Sequence, residues 1–113
     1  MAELDGIQPL VRDDRDTHAL HLYVLCIDPE SAGATRDEYQ RALREENVAT
    51  SIHFLPVHTL TWYRERFPEQ PPLPVAERAG AEILSLPLSP AHSDADIGDA
   101  IDALRRVHDR FRA

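Results

Sequence analysis

The residues with the most chemical potential lie in one block, Ser51-Ile-His-Phe-Leu-Pro-Val-His58, followed at once by Trp62-Tyr-Arg-Glu-Arg-Phe67. Imidazoles can act as bases, metal ligands or hydrogen-bond partners near neutral pH, and guanidinium groups clamp anions or stack on flat rings. A metal centre on His53 and His58 is short of ligands, because no nearby Cys, Asp or Glu completes a set. His18 and His21 are three apart, and on a strand that spacing sends them to opposite faces. Nothing marks a strained nucleophile elbow, and Gly6, Gly33, Gly80 and Gly98 are too scattered to cradle a phosphate. Arg64 and Arg66 beside Trp62, Tyr63 and Phe67 are therefore candidates for contact with an anion or a ring. The competing reading is a solvated charged turn whose aromatics sit in the core.

All twelve basic residues are arginines, so the chain has no lysine. Schiff-base chemistry on a lysine amine cannot be carried by this polypeptide alone. A formal charge of −8 opposes binding to nucleic acid phosphates. The 113 residues suit one domain, and 42% hydrophobic with 28% charged residues is ordinary globular composition. No apolar run approaches the roughly 20 residues of a spanning helix, and the first 17 residues are too charged for a secretory signal. The expected compartment is the cytoplasm. Cys26 lies in an apolar run and reads as a small buried hydrophobe.

The elements that must position these residues follow from periodicity and caps. Alternation from Val48 to Leu55 predicts a strand ended by Pro56, which puts His53 on the strand and His58 on its exit loop. Residues 1–17 read as an exposed leader or linker, and His18–Ile27 as a central strand covered on both faces. Thr35-Arg-Asp-Glu38 is a capping box opening a helix with Tyr39, Ala42 and Leu43 on one face and Asn47 at its stop. The link Pro68–Pro74 leads into a short helix with Val75, Ala76, Ala79 and Ile83 inward. Ser85–Pro90 reads as a brief edge strand, and Ser93 caps a last helix burying Ile97, Ile101, Leu104 and Phe111. The expected class is a two-layer α+β domain, helices on a small sheet.

Taken in order, HLYVLCID, TRDEYQRALREENV, SIHFLPVHTLTWYRERFP, LPVAERAGAEILSLPLSP and SDADIGDAIDAL resemble the C-terminal part of the DegT/DnrJ/StrS sugar aminotransferases, fold-type I pyridoxal-phosphate (PLP) enzymes. The similarity runs from about His18 to Leu104. Within the family, the HF…VHT…RERFP pattern looks most like members that aminate UDP-4-keto-arabinose in lipid A modification. The resemblance implies that residues 18–113 form the small C-terminal domain, with a short, mostly antiparallel sheet under about three helices. The large domain, with PLP and the Schiff-base lysine, would lie outside this chain, as would a dimer partner. It also implies that His58 faces a nucleotide-sugar substrate, with Tyr63, Arg64 and Arg66 as further substrate-binding residues and no catalytic residue in this chain. Departures are Asn47-Val-Ala-Thr-Ser51 in place of a glycine-rich turn, Trp62 in place of tyrosine and Leu20 in place of tryptophan. The expected function is that of the C-terminal part of an aminotransferase acting on a nucleotide-linked keto-sugar, inactive alone. The alternative is a non-catalytic binding or pairing module that keeps the small-domain fold.

Overall fold

Leu25 and Ile27 are fully buried, and the strand that carries them is the middle of a three-stranded antiparallel sheet. The computed structural model describes residues 4–113. Strand β2 (Tyr23–Ile27) pairs with β1 (Ile7–Pro9) on one side, Ile7 opposite Ile27. On the other side it pairs with β3 (Ile83–Leu86), Leu25 opposite Leu84. Residues opposed in an antiparallel ladder share a face, so Ile7, Leu25, Ile27 and Leu84 make one continuous apolar surface. Helices α2 (Arg36–Glu45) and α5 (Asp94–Arg112) supply Tyr39, Ala42, Leu43, Ala103, Leu104 and Val107 to the same core. Helix α4 (Pro74–Glu82) packs against β2, with Arg78 and Glu82 beside Cys26.

Local sequence explains where the helices begin and end. The expected capping box forms, Thr35 Oγ1 accepting from the Glu38 amide while Glu38 accepts from Thr35 N, and the Ser93 cap proves to be a second such box with Asp96. Asn47 takes the left-handed conformation at φ 61° and turns the chain out of α2. A four-residue helix α1 (Pro29–Ala32) fills what the sequence suggests is a loop. Its signal was legible, since Asp28 caps it, Pro29 stands at the first position and Glu30 lies in the first turn. Gly33 ends α1 at φ 81°, and a Cβ there would sit 2.7 Å from the Phe111 carbonyl oxygen, so only glycine lets the ends of α1 and α5 abut.

Several expectations need correction. Residues 1–17 are not wholly an exposed leader, because Ile7–Pro9 form β1 and Ile7 is buried in the core. A three-residue strand is too short to show a period. The strand expected over 18–27 covers only Tyr23–Ile27, since its neighbours supply only three and four partner residues and Leu20 takes φ 52°. His18 therefore lies off the strand, its Nδ1 accepting from the Leu20 amide. The strand expected over Val48–Leu55 is reduced to one bridge in which Ser51 and Ser85 exchange two backbone hydrogen bonds. Alternation made those residues fit for a strand, but only Ser51 pairs with the outer edge of the four-residue β3. On α4, Val75, Ala76 and Ala79 are exposed, Gly80 is the buried position, and Ile83 already belongs to β3. On α5 the buried stripe is Ala103, Leu104, Val107 and His108, with Phe111 partly covered, whereas Ile97 is exposed and Ile101 half-buried. Cys26 is half-buried and free. The α+β class itself holds. Among the described residues no helix is long and apolar enough to cross a membrane.

One polar cluster sits inside this core. The Tyr39 hydroxyl lies 2.9 Å from the Ala32 carbonyl oxygen and 2.9 Å from His108 Nδ1. The carbonyl can only accept, so the hydroxyl donates to it and His108 Nδ1 donates to the hydroxyl. Burial pushes the Tyr39 phenol up to about 12. Burial, then the Arg112 charge, hold His108 below the ordinary histidine value, against the pull of Asp109 and Asp5. The native state thus takes up this proton at lower pH than the unfolded chain does. The stability that His108 contributes is complete above the unfolded histidine value of about 6.5 and is lost as pH falls through it toward the native value. The thermal midpoint should accordingly drop between about pH 7 and pH 5, and His108→Gln should flatten that part of the profile, as read by circular dichroism melts. The carboxylates held low, Glu38, Glu77 and Asp96 among them, act in a separate window below about pH 4.5.

Candidate functional site

Pro56 ends the extended segment and Val57–Thr59 then form a single 3₁₀ turn, closed by the Thr59 amide (3.0 Å) and hydroxyl (2.7 Å) on the Pro56 carbonyl. The turn is seated by Gly80, whose missing side chain makes room for the proline ring: a Cβ there would lie 2.3 Å from Pro56 Cδ. This seating points His58 at the first turn of α4. His58 Nε2 lies 3.0 Å from Glu77 Oε1, and the same oxygen accepts from the Leu73 amide at 3.0 Å. The Leu73 amide first, and His58 second, hold the Glu77 carboxyl below its ordinary value.

Helix α3 (Thr61–Arg66) follows the turn, where the sequence suggests only a loop. It starts at Leu60 without a side-chain cap, which is why no start signal showed. Its rings cluster on the surface and not in the core: Trp62 meets Tyr63 edge to face at 5.0 Å and Tyr63 stacks on Phe67 at 6.4 Å. Trp62 is 62% exposed and Phe67 51%, so the reading that placed these aromatics in the core is overturned. Between α3 and α4 lies an open groove of about 670 Å³ lined by His58, Arg64, Phe67, Gln70, Pro71 and Glu77. A second hollow of about 430 Å³, lined by Val57, His58, Tyr63, Phe67 and Leu73, adjoins it. His58 is common to both.

The structure thus gathers His58, Tyr63 and Arg64 around one pair of hollows and leaves Arg66 out of both. Among the described residues neither Arg64 nor Arg66 has a carboxylate within ion-pair distance. His53 is turned elsewhere, its Nδ1 2.9 Å from the hydroxyl of buried Ser85. His53 is therefore a structural partner of β3 and not, as expected, a strand residue. Among the described residues no group of three or more His, Cys, Asp or Glu could hold a metal ion. Sequence reasoning missed Glu77, Gln70 and Leu73. Glu77 carried a signal, an acid in the first turn of a helix, but that signal also suits an ordinary helix cap. The arrangement offers an oriented imidazole, an uncommitted guanidinium for an anion and an aromatic wall for a ring.

Comparison with known proteins adds an independent line. Residues 1–105 match the model of the DegT/DnrJ/EryC1/StrS aminotransferase family. The chain is 45% identical over 103 residues to the spore coat polysaccharide biosynthesis protein SpsC of Bacillus subtilis (strain 168), covering 89% of this chain and 26% of that protein. It superposes on DesI, solved in the presence of its TDP-sugar product, with a TM-score of 0.85 and 34% identity over 98% of this chain and 28% of that one. The aminotransferase TlmJ from Streptoalloteichus hindustanus gives a TM-score of 0.83 and 29% identity over 97% and 28%. The chain spans about a quarter of the length of these relatives.

Gly80→Ala tests how the site is seated. In an open helix the change would stabilise by about 1 kcal/mol. Here the new methyl meets the proline ring, and a net loss of roughly 1–3 kcal/mol is expected in urea unfolding, with the resonances of Val57, His58 and Thr59 displaced.

Proposed function

We propose that this chain, which belongs to the DegT/DnrJ/EryC1/StrS aminotransferase family, is the C-terminal small domain of a PLP-dependent enzyme that aminates a nucleotide-linked keto-sugar in amino-sugar biosynthesis. One observation carries the reading: nearly the whole chain superposes on about a quarter of DesI, which was solved in the presence of its TDP-sugar product. In such an assembly residues 18–113 form one wall of the substrate cleft. His58, Tyr63 and Arg64 contact substrate there, and Arg66 lies at the rim. The large domain, and a second copy in a dimer, provide the other walls. The nucleotide-sugars to try first are a TDP-sugar, by analogy with DesI, and UDP-4-keto-arabinose, the lipid A precursor suggested by the HF…VHT…RERFP pattern. One unpaired cysteine suits a reducing compartment such as the cytoplasm.

PLP is the cofactor that family membership implies, and it forms a Schiff base with a lysine when bound. The residues of this chain do not fit as its site. No lysine is available, and His58 Nε2 is committed to Glu77. No step is therefore assigned to PLP on these residues; in the proposed enzyme it is held elsewhere.

Two measurements check the reading. The purified chain, mixed with PLP and dialysed, should retain no aldimine absorbance; a stoichiometric band that survives would overturn the assignment. Mixed with SpsC lacking its last quarter, the chain should restore transamination of a nucleotide-linked keto-sugar that neither piece supports alone. An assembled but inactive complex would remove the proposed substrate-side role.

A further inference from the structure

Glu77 does more at this site than cap a helix. Its Oε1 is shared by two donors, the Leu73 amide and His58 Nε2, each at 3.0 Å. The carboxylate is held ionised by those contacts and so can only accept. The proton between the two side chains then belongs to His58 Nε2, so a ring that carries a single proton has Nδ1 bare. Among the described residues no hydrogen-bond partner meets Nδ1. Arg64, beside it in the groove, has no acceptor to offer, and Glu65, the other acid lining the groove, makes no hydrogen bond to the ring. The His58 side chain is only 16% exposed yet lines both hollows, so the ring is packed in one orientation at their junction.

We propose that Glu77 is a positioning residue: its carboxylate fixes the His58 ring as the Nε2–H tautomer and leaves Nδ1 as a directed acceptor for a hydroxyl group of the sugar-class ligand in the groove. The inference rests on the substrate-side reading of His58 given above. A carboxylate that orients an imidazole selects its tautomer as well as its direction, and an acceptor aimed at a hydroxyl discriminates against a ligand that lacks one. Arg64, on the same wall, would meet an anionic group of that ligand. The two contacts differ in kind: one reads a hydroxyl by direction, the other a charge.

The test is long-range ¹H–¹⁵N correlation of the ring nitrogens in the intact 113-residue chain, above the ordinary histidine range, with His58→Ala to assign the signal. Wild-type His58 should show one fully protonated and one fully bare nitrogen, the proton on Nε2. Glu77→Ala should narrow the separation of the two nitrogen shifts toward that of a free imidazole. Glu77→Gln should restore it, because the amide oxygen still accepts from Nε2–H. A wild-type proton on Nδ1, or an unchanged His58 pattern in Glu77→Ala, would overturn the proposal and leave Glu77 as a helix cap only. Wild-type chain alone decides the matter should Glu77→Ala fail to fold. The outcomes stay separable: an Nε2–H ring in a chain whose assembled enzyme turns over no nucleotide-sugar removes the proposed function and leaves the positioning intact. Turnover with an Nδ1–H ring does the reverse.

Discussion

Pairing on both edges of β2 is the constraint on which the remaining structure depends. The sheet has one five-residue strand flanked by partners of three and four residues, so few ladder bonds hold it. Its stability comes from burying Leu25, Ile27 and Leu84 beneath α2 and α5, and each such side chain contributes on the order of 1.5–3 kcal/mol. Arg36 ties the two layers together, since its guanidinium is nearly buried while donating to the Ile83 carbonyl at 2.9 Å and to Asp37 at 2.6 Å. Such a charge is tolerable only because both contacts satisfy it. The C-terminal half of α5 is held by ion pairs of Arg106 with Glu46 and Arg112 with Asp5, and Arg112 also bonds the Ser31 carbonyl. These exposed pairs add little individually, but that of Arg112 with Asp5 joins the N-terminal strand region to the last helix.

The site hangs from the sheet's other side by a short mechanical train. Ser51 pairs with Ser85, His53 reaches the Ser85 hydroxyl, Pro56 seats on Gly80, and His58 then meets Glu77. Each link joins the 51–58 segment to β3 or α4, elements that are themselves fixed to β2. That explains how an irregular segment holds an imidazole in place. Loops positioned by a rigid scaffold are where recognition residues concentrate.

Around this train the surface is apolar beyond what a free small domain needs. Phe54 is 75% exposed and Val75 76%, with Leu55, Val57, Leu60, Trp62, Phe67 and Leu73 also open to solvent. Exposed apolar residues concentrated between 54 and 75, of which Val57, Phe67 and Leu73 line the hollows, have the character of an interface. A chain matching about a quarter of each relative's length would carry such a face where the remainder packs, which agrees with the role proposed for it.

What the sequence determined by itself was local: the Thr35 capping box, the Ser93 cap, the Asn47 stop, the first position of Pro74 and the missing lysine, whereas the edge strand expected over Ser85–Pro90 runs instead over Ile83–Leu86 because Pro87 cannot donate to the ladder. Each depends on residues within one turn of one another, and caps satisfy orphan amides wherever the helix ends up. The ordered run of motifs from His18 to Leu104 further carried the family. Tertiary structure alone decided the rest. Alternation over Val48–Leu55 made no strand because only Ser51 of that segment pairs with the outer edge of β3, and three residues at Ile7–Pro9 became one because β2 offered an edge. The face α4 buries centres on Gly80, which lies against Pro56, and not on its apolar Val75, Ala76 and Ala79, which are exposed. Glu77 was visible as a helix acid, yet its partnership with His58, nineteen residues away, exists only because the fold brings α4 against the turn.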